Sequence, residues 1–409
     1  LFYQLEEDLI MSATTQTSQL ACIKVLMLGA GLDVQGGITS VERLILENAP
    51  SDLQIRHVAT FAATFAKGTA VHNIKVFLRS LITLLQTSLN NEIDIVHIHF
   101  SVRGSVLRKV ILALIALGLR KPFILHAHGG AYKEFHAALP KIAQRLIVSV
   151  FSRCTHFIAL TENWRLYYLS TFQLKLHQIT VLQNPIALPL TIPERNERKQ
   201  VTFVFLGRIG KHGGTADPKQ STSSMPSQDK GAFDLIKAFG RLPTSDQAIA
   251  RLVLAGNGDI EAAQRLIEEL NLTQQVQIRS WLDPIQRDQL LMNADVFVLP
   301  SYHEALPMSM LEAMAWGLPV IVTPVGGIPE VVTQGQQGLF VQPGNQVELS
   351  QAMQELIRNE KLRISLGTAA RHSVQRLNVS DYMNSLRELY ISAIRQSEIS
   401  LKKGTGSLI

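Results

Sequence analysis

Leu299-Pro300-Ser301-Tyr302-His303-Glu304-Ala305-Leu306-Pro307-Met308-Ser309-Met310-Leu311-Glu312-Ala313-Met314-Ala315-Trp316-Gly317-Leu318-Pro319 leaves an apolar strand, crosses a loop and enters a helix just before the run Val320 to Val322. It reads as one strand-loop-helix-strand unit of a parallel sheet. Pro307 stands where a first helical residue would, pre-set in φ and lacking only an N–H that the helix does not use. The unpaired N–H groups of Met308, Ser309 and Met310 then form a helix start that attracts phosphate. Glu312 lies one turn beyond Met308 on the same face and leans back toward that start, where a ribose diol is its natural partner. Glu304, eight residues earlier, is placed to accept hydrogen bonds from another polyol on the far side of the phosphate.

The same rhythm runs through the chain. Ile23 to Leu28, Ile93 to Ile98, Phe123 to Leu125, Val201 to Leu206, Arg251 to Ala255, Val276 to Ile278 and Val296 to Leu299 are short apolar runs separated by helical patterns. The alternation predicts α/β architecture: two Rossmann-like, doubly wound parallel-sheet domains facing a cleft. At roughly 150 residues per domain a 409-residue chain suggests two or three, and the restart at Val201 reduces the number to two. Expected boundaries are a disordered extension over 1–20, a first domain over 21–185, a linker rich in Pro and charge over 186–200 and a second domain over 201–375. Residues 211–229, without hydrophobic period, read as a flexible insertion. Residues 376–395 form an amphipathic helix and 396–409 a loose tail.

Hydrophobic residues make up 46% and charged residues 18%, which excludes disorder and coiled coil as overall readings. The net charge of +6 favours anionic partners without naming one. Two cysteines, Cys22 and Cys154, make no disulfide framework or zinc spacing, so a reducing, cytoplasmic compartment is expected. Glu6, Glu7 and Asp8 stand where a secretory signal would need positive charge, Met11 offers itself as a start, and Val110 to Leu119 is about half of the ~20 residues a bilayer span requires.

Other anion motifs fail. After Gly29 and Gly31 a dinucleotide fingerprint would need a third glycine where Val34 stands, and Gly210-Lys211-His212 is no Walker loop. No Asp-x-Asp triplet is present to hold a divalent metal beneath a diphosphate. Protein groups must neutralise any diphosphate bound here.

The Glu304 to Glu312 spacing closely resembles the Glu-x7-Glu signature of retaining GT-B glycosyltransferases, glycosyltransferase family four in particular. Four more pieces agree in order: Gly36-Gly37-Ile38, His126-Ala127-His128-Gly129-Gly130, Gly207-Arg208-Ile209 and Gly326-Gly327-Ile328-Pro329-Glu330. Asp94 to His99 and Arg103-Gly104-Ser105 look most like bacterial members that build exopolysaccharide or other surface glycans. The resemblance implies metal-independent transfer, with retained configuration, from a UDP- or GDP-sugar, GDP-mannose among them, to a glycan or lipid-linked acceptor. It implies His128 and Glu304 as catalytic residues at the donor sugar and Glu312 on the ribose. Arg208 and Lys230 grip the diphosphate, with Lys211 a rival for the second role. Gly36 and Gly37 let backbone approach the diphosphate, and Leu306, Pro307 and Met308 complete the donor site. No cofactor, metal or nucleic acid is implied. The position is the cytoplasm, at the inner face of the plasma membrane if peripheral contact occurs.

Competing readings use the same residues. Carboxylates at a helix start are common without a ligand, and Gly36-Gly37 could be a plain turn. His97/His99 and His126/His128, at i, i+2, could bind metal, but no Cys or acidic ligand completes the spacing. Val110 to Leu119, flanked by Arg108, Lys109, Arg120 and Lys121, reads as a buried crossover helix or a basic patch on anionic lipid. Asn184-Pro185 could simply end a strand, and Ser280 replaces a glycine where relatives pack the base. A sugar phosphorylase, a nucleotide-sugar epimerase and a non-catalytic sugar-nucleotide sensor remain rivals.

Overall fold

A computed structural model describes residues 22–62, 69–195, 200–210 and 230–405. The expected N-terminal extension, the insertion over 211–229 and Lys211 with it lie outside these residues. Six strands of the first half, β1 (Ile23–Gly29), β2 (Leu53–Ala59), β3 (Ile95–Phe100), β4 (Phe123–Ala127), β5 (His156–Ala159) and β6 (Ile179–Val181), lie in the order β2-β1-β3-β4-β5-β6. Six more, β7 (Val201–Leu206), β8 (Ala250–Ala255), β9 (Val276–Arg279), β10 (Val296–Leu299), β11 (Val320–Val322) and β12 (Gly338–Phe340), take the order β12-β11-β10-β7-β8-β9. All the pairings are parallel. Strands β3 and β10 are buried at every position, as central strands covered on both faces are; β10 is wholly apolar, whereas β3 buries His97 and His99 among its apolar residues.

Helices cover both faces of each sheet. In the first half they are α1 (Gly37–Glu47), α2 (Thr69–Leu89), α3 (Gly104–Gly118), α4 (Tyr132–Ala137), α5 (Lys141–Phe151) and α6 (Glu162–Thr171). The second half adds α7 (Ala232–Gly240), α8 (Thr244–Ala248), α9 (Ile260–Glu269), α10 (Pro284–Asn293), α11 (Met308–Ala315), α12 (Gln346–Arg358) and α13 (Glu360–Val374). Val96, Ile98, Phe100 and Leu125 face a core shared with α2, α3 and α5. Their alternating neighbours Ile95 and Ile124 face a second core with α1.

That second core is closed by α14 (Val379–Thr405), which packs Tyr382, Met383, Leu386, Tyr390 and Ala393 against Val25, Met27 and Ile95. Arg387 ties it to Asp52. The chain therefore passes between the halves twice, and the passages lie side by side: Ile186 N–H donates to Leu377 O at 2.9 Å and Val379 N–H to Ile186 O at 3.0 Å.

Three local readings change. Pro307 is the N-cap of α11, with extended ψ of 121°, so the helix begins one residue later than expected. The loose tail is helical as far as Thr405: no proline or glycine interrupts Gln396 to Lys403, extending an existing helix costs little, and Gly404 falls only in the last turn. Of Val110 to Leu119, α3 buries Val110, Leu112, Ala113 and Ala116 as a crossover helix, so the segment is not one exposed patch.

Candidate functional site

In an open parallel sheet, ligands meet the carboxyl ends of strands where the order reverses. Counted from β7, the second sheet runs 3-2-1-4-5-6 and reverses between β7 and β10. Gly207 and Arg208 leave the end of β7, and the loop through Glu304 leaves the end of β10. Arg208 is exposed there, without an ion pair among the described residues. The first sheet reverses between β1 and β3, and the loop after β1 leads to Gly36 and Gly37.

Lys230 and Glu304 meet at this switch point. Lys230 Nζ lies 2.6 Å from Glu304 Oε1, and Ser301 Oγ donates to the same oxygen at 2.8 Å. Glu304 is 6% exposed, so its carboxylate needs these partners. Lys230 brings two more N–H donors than this pair uses. The loop is gripped from both halves: a Cβ on Gly130 would sit 2.5 Å from Glu304 C, and one on Gly326, at φ +58°, would overlap Glu304 O. The two glycines of the second and fourth motifs thus allow two backbones to close on the Glu304 loop.

Two helix starts point into the cleft from opposite sides. α1 begins after Gly36 and α11 after Pro307; neither has a side-chain cap or an acidic residue in its first turn. A Cβ on Gly37 would lie 3.6 Å from Met308 Cγ, so the starts are in close approach. Gly36 has open space around its Cβ position. Leu306 and Met308 are buried; Asn184 Nδ2 donates to Leu306 O at 2.8 Å, tying the segment after β6 to the loop before α11.

Glu312 projects from α11 to Arg287 Nη1 at 2.8 Å. Burial pushes its carboxyl up to about 7, against the pull of Arg287. Sequence spacing did not reveal Arg287; the available signal was the Asp283 capping box, which starts α10 and sets Arg287 in its first turn. Trp281, 37% exposed, follows β9 on the approach to that helix. Glu330, whose role the motif left open, accepts from the N–H groups of Glu162 and Asn163 at 2.7 and 2.8 Å, capping α6 from the opposite half.

Beneath the first-half loops stand four imidazoles. His99 pairs with His126 across β3 and β4, and His97 and His128 flank them on the same face. His128 Nε2 lies 3.0 Å from His99 Nδ1, and His97 Nδ1 lies 2.7 Å from Tyr390 Oη. Burial holds His97 and His128 down to about 3 and keeps His99 and His126 well below the ordinary imidazole value. All four are neutral at pH 7. The contact with His99 engages Nε2 of His128 and leaves Nδ1 as its other ring nitrogen. His97, His99 and His126 bring ring nitrogens within 4.8 Å of one another, but the His97 and His126 rings stack 3° from parallel. In-plane lone pairs of two stacked rings lie in separate parallel planes and do not meet at one point, as ligands on a single tetrahedral ion must. The arrangement fits a ring stack better than a ligand set. Glu42, 3.9 Å from His99, and Lys109, donating to Leu28 O and Thr60 Oγ1, are buried beside it.

Sheets of this order meeting at their switch points make the GT-B fold. The model described as Glycosyltransferase Family 4 matches residues 43–188, and that of Glycosyl transferases group 1 matches residues 223–373. The chain belongs to these glycosyltransferases. It is 23% identical over 343 residues to an Escherichia coli UDP-Gal:alpha-D-GlcNAc-diphosphoundecaprenol alpha-1,3-galactosyltransferase, covering 80% of this chain and 83% of that one. It is 33% identical over 141 residues to a Campylobacter jejuni N,N'-diacetylbacillosaminyl-diphospho-undecaprenol alpha-1,3-N-acetylgalactosaminyltransferase, covering 34% of this chain and 37% of the relative. A Bacillus anthracis N-acetyl-alpha-D-glucosaminyl L-malate synthase is matched over 44% of its length, with 41% of this chain, at 29% identity. The chain thus spans less than half the length of the latter two relatives. Anabaena HepE, solved with UDP-glucose, superposes with a TM-score of 0.68 at 17% identity, covering 90% of this chain and all of that one. That likeness establishes the fold.

Proposed function

We propose that this protein transfers a sugar, with retained configuration and without a metal, from a nucleotide-diphosphate sugar to a glycan or lipid-linked acceptor. The observation that carries the reading is the meeting of the α1 and α11 starts at the switch point where Lys230 pairs with Glu304 and Arg208 leaves β7. Breaking the bond from sugar to phosphate builds negative charge on the departing diphosphate, and fixed cations and helix N–H groups stabilise that charge. Gly36 and Gly37 give the diphosphate backbone access, Leu306, Pro307 and Met308 shape the opposite wall, and Glu312 accepts from the ribose hydroxyls. Glu304 and the neutral His128 hold sugar hydroxyls. The acceptor oxygen attacks the anomeric carbon on the face that the diphosphate leaves. The new C–O bond forms as the old one breaks, and the acceptor proton passes to the departing phosphate oxygen.

UDP is the favoured nucleotide, since HepE was solved with UDP-glucose and the Escherichia coli relative is named for UDP-Gal; a GDP-sugar such as GDP-mannose is the other donor. Two relatives named for diphosphoundecaprenol acceptors support a lipid-linked acceptor; surface polysaccharide synthesis at the inner face of the plasma membrane is the setting proposed for it. The test is a thermal-shift panel of UDP-, GDP- and ADP-sugars, because a ligand that binds only the folded state must raise the melting temperature. One nucleotide-diphosphate sugar should stand out. A stronger response to a nucleoside monophosphate than to any diphosphate would remove the diphosphate grip.

A further inference from the structure

The outer surface of α2 is unlike that of an ordinary surface helix. Val71, Ile74, Leu78, Ile82, Leu85 and Leu89 recur in steps of three and four and stand between 38% and 67% exposed. A stripe at helical spacing normally faces a core, yet this one is separate from the residues α2 buries, such as Leu84. It is about 27 Å long at 1.5 Å per residue. α3 lies beside α2, and α5 beside α3; their exposed Leu107, Leu114, Ile142 and Leu146 extend the apolar area across one face of the first sheet.

The charge on that face has one sign. None of α2, α3 and α5 contains an Asp or Glu, although the chain carries 33. Lys75 and Arg79 stand exposed beside the α2 stripe, Lys141 and Arg145 beside that of α5. The chain enters α2 from the carboxyl end of β2, so the stripe starts at the cleft rim; Asn73 Oδ1 there accepts from Ala62 N–H at 2.9 Å. No helix among the described residues is long and apolar enough to cross a membrane.

We infer that the outer faces of α2, α3 and α5 lie on an anionic lipid surface, with the α2 stripe in the acyl boundary and the flanking Lys and Arg at the headgroups. This deepens the lipid-linked reading above and names a surface for it. A second copy is a poor occupant, since a two-fold pairing would set these cations against themselves.

The test is co-sedimentation with phosphatidylcholine vesicles that contain or lack phosphatidylglycerol, at low and high salt. Wild type should sediment only with the anionic vesicles, less so at high salt. Lys75→Glu with Arg79→Glu, and separately Ile74→Gln with Leu78→Gln, should each weaken partitioning about tenfold or more, while Lys361→Glu, on the second half, should not. Wild type remaining in the supernatant, equal binding to both vesicle types, or variants that bind like wild type would overturn the inference. So would a dimer in light scattering that the Ile74→Gln, Leu78→Gln pair dissociates. Thermal shift by nucleotide sugars, measured on the same variants, should be unchanged, so failure here is distinguishable from failure of the transferase reading.

Discussion

Lys230 Nζ sits 2.6 Å from Glu304 Oε1, joining the start of α7 to the loop before α11 and tying a cation proposed for the diphosphate to a carboxylate proposed for the sugar. One residue thereby orders the other before any donor arrives, the pre-organisation that electrostatic catalysis requires.

Lys230→Ala should lower kcat/KM by about 10²–10³, the usual cost of deleting one donor to a developing charge. It should also lower the melting temperature, since Glu304 is left with Ser301 alone. Steady-state kinetics and a melt check both. Wild-type kcat/KM in the variant would remove Lys230 from the site.

With its carboxyl at about 7, Glu312, in the role proposed for it on the ribose, is a full acceptor only when ionised, above that value. KM for the donor should fall as pH rises from 6 to 8 while kcat changes less. Glu312→Gln should flatten this dependence, and Arg287→Ala should move it to higher pH by withdrawing the opposing cation. A pH-independent KM in wild type would contradict the assignment.

The four neutral imidazoles make stability depend on pH. Their folded values lie below the ordinary 6.5, so beneath pH 6.5 the unfolded chain binds protons that the native state refuses. The stability they confer is present above pH 6.5 and is lost as pH falls toward about 3. Each contributes up to about 1.4 kcal/mol per pH unit. Glu312, raised in the folded state, works the other way by one proton between 7 and its ordinary 4.5. Urea titrations at pH 7 and pH 5.5 should therefore show a marked loss at the lower pH, less steep in His126→Asn. A flat profile would show that the rings are charged or solvated.

Glu330 bridges the halves through two α6 N–H groups. Glu330→Ala should cost about 1 kcal/mol, the typical worth of a helix cap, and broaden the interdomain distances seen by small-angle scattering. Scattering curves that superpose would mean the two passages near Ile186 set the domain angle alone.

The features that sequence revealed are those fixed by short-range geometry. Glu304 and Glu312 share a strand-loop-helix unit whose periodicity places them, and β1, β7 and β10 announce themselves by predominantly apolar runs. β5 opens on His156 and β12 on Gly338, and each leaves too few apolar residues behind it to stand out as a run. Arg287 and the reach of Glu330 depend on how separate elements dock, which no local spacing encodes. Lys230 stands beside Gly207, where a Cβ would meet its Cγ at 3.5 Å; its rival Lys211 lies outside the described residues. The histidine pairs were visible at i, i+2, but their stacking follows from the His99 to His126 register.

The central claim is that protein cations and helix starts, not a metal, drive release of a nucleoside diphosphate from its sugar. The most direct measurement is release of nucleoside diphosphate from the panel-selected donor in the presence of EDTA, with wild type, Arg208→Ala and Glu304→Ala side by side. Release should persist in wild type under EDTA and fall by about 10²–10³ in each variant. A wild-type protein that binds the donor tightly yet releases nothing with or without acceptor lipid, or one that works only with added metal, would contradict it.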